Sequence, residues 1–367
     1  MHEITYVFKK NRKENLLQNK QFAKELYYNL PNFQKSNNVA VIEFGEPKKN
    51  KYILKFIEHK LSKILSLPFY FSKILNFQNL KILINSKNII MVNESVACSL
   101  LPFLLLLKFF KNVNIIFFVM GLYSKKLRYP VFKPFHNLVI KMLYFSVNHL
   151  MFLGLGELEK AKELHNSQKK IVYFPFCIDT EFWNLDKSKK IKKDYVIFVG
   201  NDSNRDTNLL LDIAANLNEI QFLVVSNLKA LKDSNSKNLQ VIPGEWGGEY
   251  LTDQELKKLY SGSRICIIPL IESSQPSGQS VSLQAMSMEV PVIISKTSGF
   301  WEKVDFVDEK NIFFINDNDV DHWVKKINEI YYDKKKLDNV AKSAKELINS
   351  KYNLNIFDKK LKKYIVN

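Results

Sequence analysis

The sequence predicts an α/β protein built from two doubly wound domains, and three observations carry that prediction. Its 367 residues are too many for one compact core and suit two domains of ordinary size. Short β-rich runs alternate with longer helical patterns along the whole chain. Most of those runs are continuously apolar rather than alternating, as parallel strands covered on both faces must be. A composition 46% hydrophobic and 25% charged excludes wholesale disorder.

In chain order the expected strands are Ile4–Phe8, Val39–Phe44, Ile89–Val92, Ile115–Val119, His149–Leu153 and Ile171–Phe176. A lysine-rich segment, DKSKKIKKD at Asp186–Asp194, reads as a linker. Strands resume at Tyr195–Val199, Ile220–Val225, Leu239–Ile242, Ile265–Leu270, Pro291–Ser295 and Asn311–Ile315. The expected domains are therefore 1–186 and 187–350, with a basic, helix-like tail at 351–367 that would pack back on the first domain. Ligands of such sheets bind beyond the carboxyl ends of the strands, so a cleft between two facing domains is the expected site.

Cys98, Cys177 and Cys266 have no paired spacing, which excludes a disulfide scaffold or a Cys-ligated zinc ribbon and suits a reducing compartment. The opening residues MHEITYVFKKNRK are a short apolar run followed by charge, unlike a secretory leader, and a cytoplasmic location is expected. None of the six histidines pairs at i, i+4 with a carboxylate, so no metal site is expected; His136 and His149 read as structural.

The net charge of +17 is unevenly placed. Residues 1–150 hold 23 Lys/Arg against 7 Asp/Glu, whereas residues 151–367 hold 31 against 30. Compositional drift toward lysine would load both parts alike. A basic first domain instead suits an anionic partner, either a phosphorylated acceptor or an anionic membrane surface, here the inner face of the cytoplasmic membrane. Nucleic acid is not expected, because no nucleic-acid motif appears. Val96–Leu107 (VACSLLPFLLLL) falls short of the ~20 residues a bilayer requires and reads as a buried helix. Lys51–Phe77 sets Lys51, Lys55, Lys60, Lys63 and Lys73 among Ile, Leu, Phe and Tyr. It is either a basic amphipathic segment for a membrane surface or a helix with a solvated lysine face.

Two loops stand out in the second part. After Ile265–Leu270 comes a polar loop at 272–279, then a helix starting near Ser280. Free N–H groups at a helix start bind phosphate, which makes Ser277, Gly278, Gln279 and Ser280 the candidates, with Gln284 one turn further in for a ribose hydroxyl. The other loop follows Tyr195–Val199: Gly200, Asn201, Asp202 and Arg205 precede the helix LLLDIAANL. Arg205 is the only arginine between 129 and 263, and its planar fork suits a diphosphate. A plain helix cap and a surface Arg–Asp pair are the competing readings. Thr252-Asp253-Gln254-Glu255 is a capping box and reads as structural; Trp246-Gly247-Gly248 before it would border a nucleotide base.

Three stretches, VIFVGNDSNRD at 196–206, YFPFCIDTEFW at 173–183 and SGQSVSLQAMSMEVPVIISKTSGFW at 277–301, resemble the GT-B glycosyltransferases of family 4 (glycosyl transferases group 1), as a divergent branch. The resemblance implies two Rossmann-like domains about a central cleft. It further implies a nucleotide-sugar donor on the second domain, an acceptor on the first, no metal and no other cofactor, and retention of anomeric configuration, with the departing phosphate assisting the incoming hydroxyl. Arg205 and Gln279 would be the catalytic groups, and Gly200, Asn201, Arg205, Ser277, Gly278, Gln279, Ser280 and Gln284 the donor-binding ones. The chain departs from the pattern at the paired glutamates, which are Gln275 and Gln284 here, at the lysine after the phosphate arginine, replaced by Asp206 and Thr207, and at Cys177 in place of glycine. An amide keeps hydrogen bonding to hydroxyls and loses the negative charge.

In the first domain, Lys9, Lys10, Arg12 and Lys13 follow the first strand where a glycine loop would stand in a dinucleotide fold. They are acceptor-phosphate candidates, competing with a solvated charge run at a helix start. Gly121 follows the fourth strand and would allow close approach of acceptor or sugar. The expected activity is transfer of a sugar to an anionic or lipid-diphosphate-linked glycan in surface polysaccharide synthesis. The rivals are a nucleotide-sugar epimerase on the same fold and a degenerate sugar-nucleotide or lipid-binding module.

Overall fold

The computed structural model describes residues 2–10, 12–17, 22–46, 52–186, 192–232, 236–244 and 251–366. The chain forms two compact units. One comprises Met1–Asn19, Tyr27–Pro175 and Asp358–Asn367, and the other Lys20–Leu26 and Phe176–Phe357.

The first unit is a sheet of six parallel strands: β1 (His2–Phe8), β2 (Val39–Glu43), β3 (Ser86–Val92), β4 (Asn114–Val119), β5 (His149–Phe152) and β6 (Ile171–Tyr173). Their order is β2-β1-β3-β4-β5-β6. The strand β4, NIIFFV, is buried at every position, which explains its unbroken apolar run. The helix Glu94–Phe110 contains the apolar run read from the sequence, and Val96, Leu100 and Leu104 join the core on one side of the sheet. Two asparagines that enter this sheet are paired. Asn114 donates to Asn88 (2.8 Å), and these two asparagines also bond the carbonyls of Tyr364 and Val366.

The second unit is a second parallel sheet: β7 (Tyr195–Val199), β8 (Gln221–Val225), β9 (Leu239–Ile242), β10 (Ser263–Ile268), β11 (Val292–Ser295) and β12 (Phe313–Ile315). The order is β12-β11-β10-β7-β8-β9. Chain direction across the sheet reverses between β7 and β10, so their carboxyl ends splay apart and leave the crevice where doubly wound sheets bind ligands. In the first sheet the corresponding point lies between β1 and β3. The helix Val320–Tyr331 buries Trp323, Ile327 and Ile330, spaced for one helical face, in the core of this unit.

All twelve expected strands are present, with small shifts of boundary that have local causes. The strand β6 stops at Tyr173 rather than Phe176 because Pro175 has no N–H for the ladder; Phe174 still bonds Phe152 O at 2.8 Å. The strand β10 stops at Ile268 for the same reason, with Pro269 next. Residues 187–191 of the expected linker, and Trp246-Gly247-Gly248, lie outside the described residues.

Candidate functional site

The two loops singled out in the sequence meet at the reversal point of the second sheet. The loop after β7 and the loop after β10 are laced by backbone bonds, Asp206 N to Pro269 O (3.0 Å) and Ile271 N to Asn204 O (2.9 Å). Asn204 Nδ2 adds a bond to Ser277 Oγ at 2.7 Å. Asp206 caps the helix Thr207–Asn216 by accepting from Leu209 N.

Within this frame Arg205 lies flat against the end of β7. A side chain at Gly200 would place its Cβ 2.1 Å from Arg205 Nε, so the glycine is what lets the guanidinium lie there. Arg205 is 5% exposed. Its Nε and Nη1 are buried without a hydrogen-bond acceptor among the described residues, and Nη1 stands 3.1 Å from Asp202 Oδ2 as an ion pair. A buried donor without an acceptor is costly, so Nε is a costly group to bury at this position.

Facing it, the helix Gln279–Ser287 starts after Gly278, whose φ of +77° is a left-handed value. The first helical bond back runs from Ser282 N to Gly278 O, so the helix starts directly at this glycine. A Cβ at 278 would lie 2.8 Å from Ile268 Cγ2 and 3.7 Å from Arg205 Nη1, which places the helix start beside the guanidinium.

A cavity of about 360 Å3 opens here. Its polar wall contains Asn201, Asp202, Arg205, Ser280 and Gln284, and its apolar wall Leu26, Val225, Leu251, Leu256 and Val281. Of the expected donor residues, Gly200, Asn201, Arg205, Ser280 and Gln284 line the cavity. Ser277, Gly278 and Gln279 do not; Gln279 is itself buried. The Asn201 amide is held at both ends: it donates to Gly244 O (2.5 Å) and accepts from Asn227 N (2.6 Å). Thr252, read as structural, does form the capping box with Glu255, and Thr252 and Asp253 also line the cavity.

Sequence reasoning missed Glu25. The short segment Lys20–Leu26 belongs to the second unit, where Ala23 N bonds Asp253 Oδ2 (2.9 Å). It delivers a carboxylate that is only 2% exposed. Glu25 Oε1 accepts from Gln284 Nε2 (2.9 Å) and from Trp183 Nε1 (2.8 Å). Tyr260 OH reaches the other end of the Gln284 amide at 3.4 Å. Burial pushes the Glu25 carboxyl up to about 7, against the pull of the Gln284 and Trp183 hydrogen bonds. The only signal in the sequence was an acid inside the apolar run FAKELYYNL, with no motif around it.

In the first unit Lys9 and Lys10 leave the end of β1 exposed, as does Lys13 nearby. The Arg12 guanidinium lies over the Phe8 ring (4.8 Å) and donates to Lys10 O. The carboxylate of Glu43 takes the backbone N–H groups of Arg12 (2.6 Å) and Lys13 (3.2 Å), so those two donors already hold an anion. Gly121 has φ +105° and donates its N–H to Glu157 Oε2 at 2.9 Å, while Tyr123 N bonds Oε1 at 2.8 Å. This buried Glu157 is also pushed up to about 7 by desolvation. Among the described residues no three His, Cys, Asp or Glu side chains gather as a metal site would require.

Residues 193–333 match the family model described as glycosyl transferases group 1, and that span contains both loops of the cavity. Over its whole length the chain is similar to HepE of Anabaena in complex with UDP-glucose, at 10% identity, 99% of each chain and a TM-score of 0.69. Sucrose-phosphate synthase from Thermosynechococcus elongatus gives 12% identity over 98% of this chain and 97% of that one, with a TM-score of 0.69. A glycosyltransferase from Rickettsia africae gives 14% over 98% and 97%, at 0.61. The fold is GT-B, as the resemblance implied. No curated protein sequence matches the chain significantly.

Proposed function

We propose that the protein transfers a sugar from a nucleotide-sugar to an acceptor hydroxyl, with retention at the anomeric carbon and without a metal ion. The observation that carries this reading is the buried Arg205 guanidinium, ion-paired with Asp202 through Nη1 and with no acceptor at Nε among the described residues, set beside a helix start within the span that matches the group 1 family model. The apolar wall of Leu26, Val225, Leu251 and Leu256 suits a nucleobase, and the Gln284 amide in the same cavity supports a contact to a ribose hydroxyl. That HepE binds UDP-glucose supports a donor of this class.

In the reaction the bond between the anomeric carbon and the diphosphate oxygen breaks, and negative charge collects on the leaving group. Arg205 and the positive end of the helix Gln279–Ser287 lower the energy of that charge in a partly dry site, which is where most of the acceleration arises. The departing phosphate accepts the proton of the incoming hydroxyl, so no side-chain base is needed. The acceptor is an anionic or lipid-linked glycan of surface polysaccharide synthesis; the basic character of residues 1–150 and the exposed Lys9 and Lys10 support this.

A melting-temperature panel with UDP, GDP, ADP, CMP and their sugar conjugates tests the donor site, because a ligand of the native state must raise the melting temperature. One nucleotide series stabilising the wild type, and failing to stabilise Arg205→Ala, is the expected result. Equal stabilisation of both proteins would remove Arg205 from the site.

A further inference from the structure

Twelve of the nineteen exposed large apolar side chains among the described residues fall on three neighbouring helices of the first unit and the turn before one of them. Such concentration needs an explanation that scattered surface apolar residues do not. The helix Tyr52–Leu65 exposes Tyr52, Ile53, Phe56 and Ile57. The helix Lys133–Ser146 packs against it and exposes Phe135, Leu138 and Phe145, with Tyr129 and Val131 in the turn ahead. The helix Glu94–Phe110 also packs against that second helix and, at its end, exposes Leu106, Phe109 (73%) and Phe110 (80%). The Phe109 and Phe145 rings stand 6.1 Å apart, so the patch is continuous between those two helices.

Cations are interleaved with these groups. Lys60 Nζ lies over the Phe56 ring (4.5 Å), Arg128 over Tyr129 (5.6 Å), and Lys108, Lys111, Lys133 and Lys141 are exposed. Exposed Glu46 borders the first helix beside Lys55, but the three helices themselves present no exposed carboxylate. The only acids on the three helices are Glu58 and Glu94, both buried: Glu58 accepts from Ser72 N (2.9 Å) and Ser72 Oγ (2.7 Å), and Glu94 meets Lys125 at 3.2 Å. The run 95–156 contains no Asp or Glu at all. An ordinary solvated helix face mixes both signs of charge.

We propose that this three-helix face lies on an anionic lipid bilayer, with its aromatic and aliphatic groups in the headgroup boundary and its lysines on the lipid phosphates. Among the described residues no helix is long and apolar enough to cross a membrane, so the contact is one of lying on the surface. A second copy of this chain is a poor occupant, because the isologous contact would bring two acid-free cationic faces together. The Lys51–Phe77 segment singled out in the sequence supplies one helix of the three; the other two had no basic amphipathic signature of their own.

The proposal stands apart from the donor site, and its test reads lipid rather than nucleotide. Wild-type protein is sedimented with phosphatidylcholine vesicles and with vesicles carrying about 30% phosphatidylglycerol. Strong binding to the anionic vesicles only, weakened at least about tenfold in Phe109→Ser/Phe110→Ser while nucleotide stabilisation is unchanged, is the expected result. Both side chains project into solvent, so the fold survives their loss. Equal binding by wild type and variant would overturn the assignment of the face. Absence of binding, or a dimer that the same substitutions dissolve, would overturn the lipid as its occupant.

Discussion

The carboxylate of Glu25 accepts a hydrogen bond from the side-chain amide of Gln284 at 2.9 Å, and the two residues are 259 positions apart in the chain. Where the resemblance implies an acid, this protein has the amide Gln284, and an acid from elsewhere in the sequence stands directly behind it. An acidic side chain is kept beside the pocket, one side chain removed from its wall. Glu25 is thus a positioning residue: it fixes which way the Gln284 amide points into the cavity.

Replacing Glu25 with Ala should leave the Trp183 Nε1–H and the Gln284 Nε2–H buried with no acceptor, a loss of about 2–4 kcal/mol. Glu25→Gln keeps one accepting oxygen and should cost less. Urea midpoints rank the three proteins. In Glu25→Gln, nucleotide affinity should fall more than stability does, since the rotated Gln284 remains in the wall. Wild-type stability in Glu25→Ala would show that the carboxylate holds nothing in place.

The elevated Glu25 carboxyl also sets a pH dependence. Its folded value of about 7 lies above the unfolded value near 4.5, so the native state binds the extra proton between those limits. Its contribution is complete below about pH 4.5, declines as pH rises, and is gone above about 7. The span corresponds to about 3 kcal/mol. The stability of wild type relative to Glu25→Gln should therefore drop between pH 5 and pH 8, read from paired urea titrations. Glu157, held at about 7 by the same desolvation, supplies a parallel case in the first unit. A flat difference across that range would mean that Glu25 is ionised throughout.

Gly200 offers a way to disturb Arg205 without deleting it. A Cβ at 200 would stand 2.1 Å from Arg205 Nε and 2.8 Å from Cδ, so Gly200→Ala must push the guanidinium off the end of β7. Overpacking of this kind costs about 1–3 kcal/mol in stability. The sharper effect is expected on nucleotide affinity, a fall of about tenfold or more, measured by calorimetry. If affinity holds, the phosphate is bound elsewhere.

The parts of this molecule legible in its sequence were those written locally. Twelve strands announced themselves as apolar runs, and the two loops at the reversal point carried glycines and an arginine in a recognisable order. Contacts between distant segments left no such trace. Glu25 gains its meaning only when Ala23 bonds the start of the helix Asp253–Gly262 and Glu25 itself meets Trp183, which no window of the sequence could reveal. The occupied amide of Asn201 is a similar case, since its partners Gly244 and Asn227 come from the ends of β9 and β8. Lys9 and Lys10, acceptor-phosphate candidates in the sequence, stand exposed at a strand end; the Glu43 carboxylate beside them, from the end of β2, depends on strand pairing.

Gly278 separates two physical reasons for a glycine at a helix start. Its φ of +77° costs an alanine roughly 1 kcal/mol, and an asparagine less, because Asn visits the left-handed region readily. Its missing Cβ also makes room for Ile268 Cγ2, which would otherwise lie 2.8 Å away, and for Ile294 Cδ1 at 3.3 Å. If conformation were the whole reason, Gly278→Asn would be nearly neutral. Because the close approach to β10 applies to any side chain, Gly278→Asn and Gly278→Ala should both lose about 2 kcal/mol in chemical denaturation. The displaced first turn should weaken nucleotide binding in each. A neutral Asn variant beside a destabilised Ala variant would assign the glycine to its backbone angle alone.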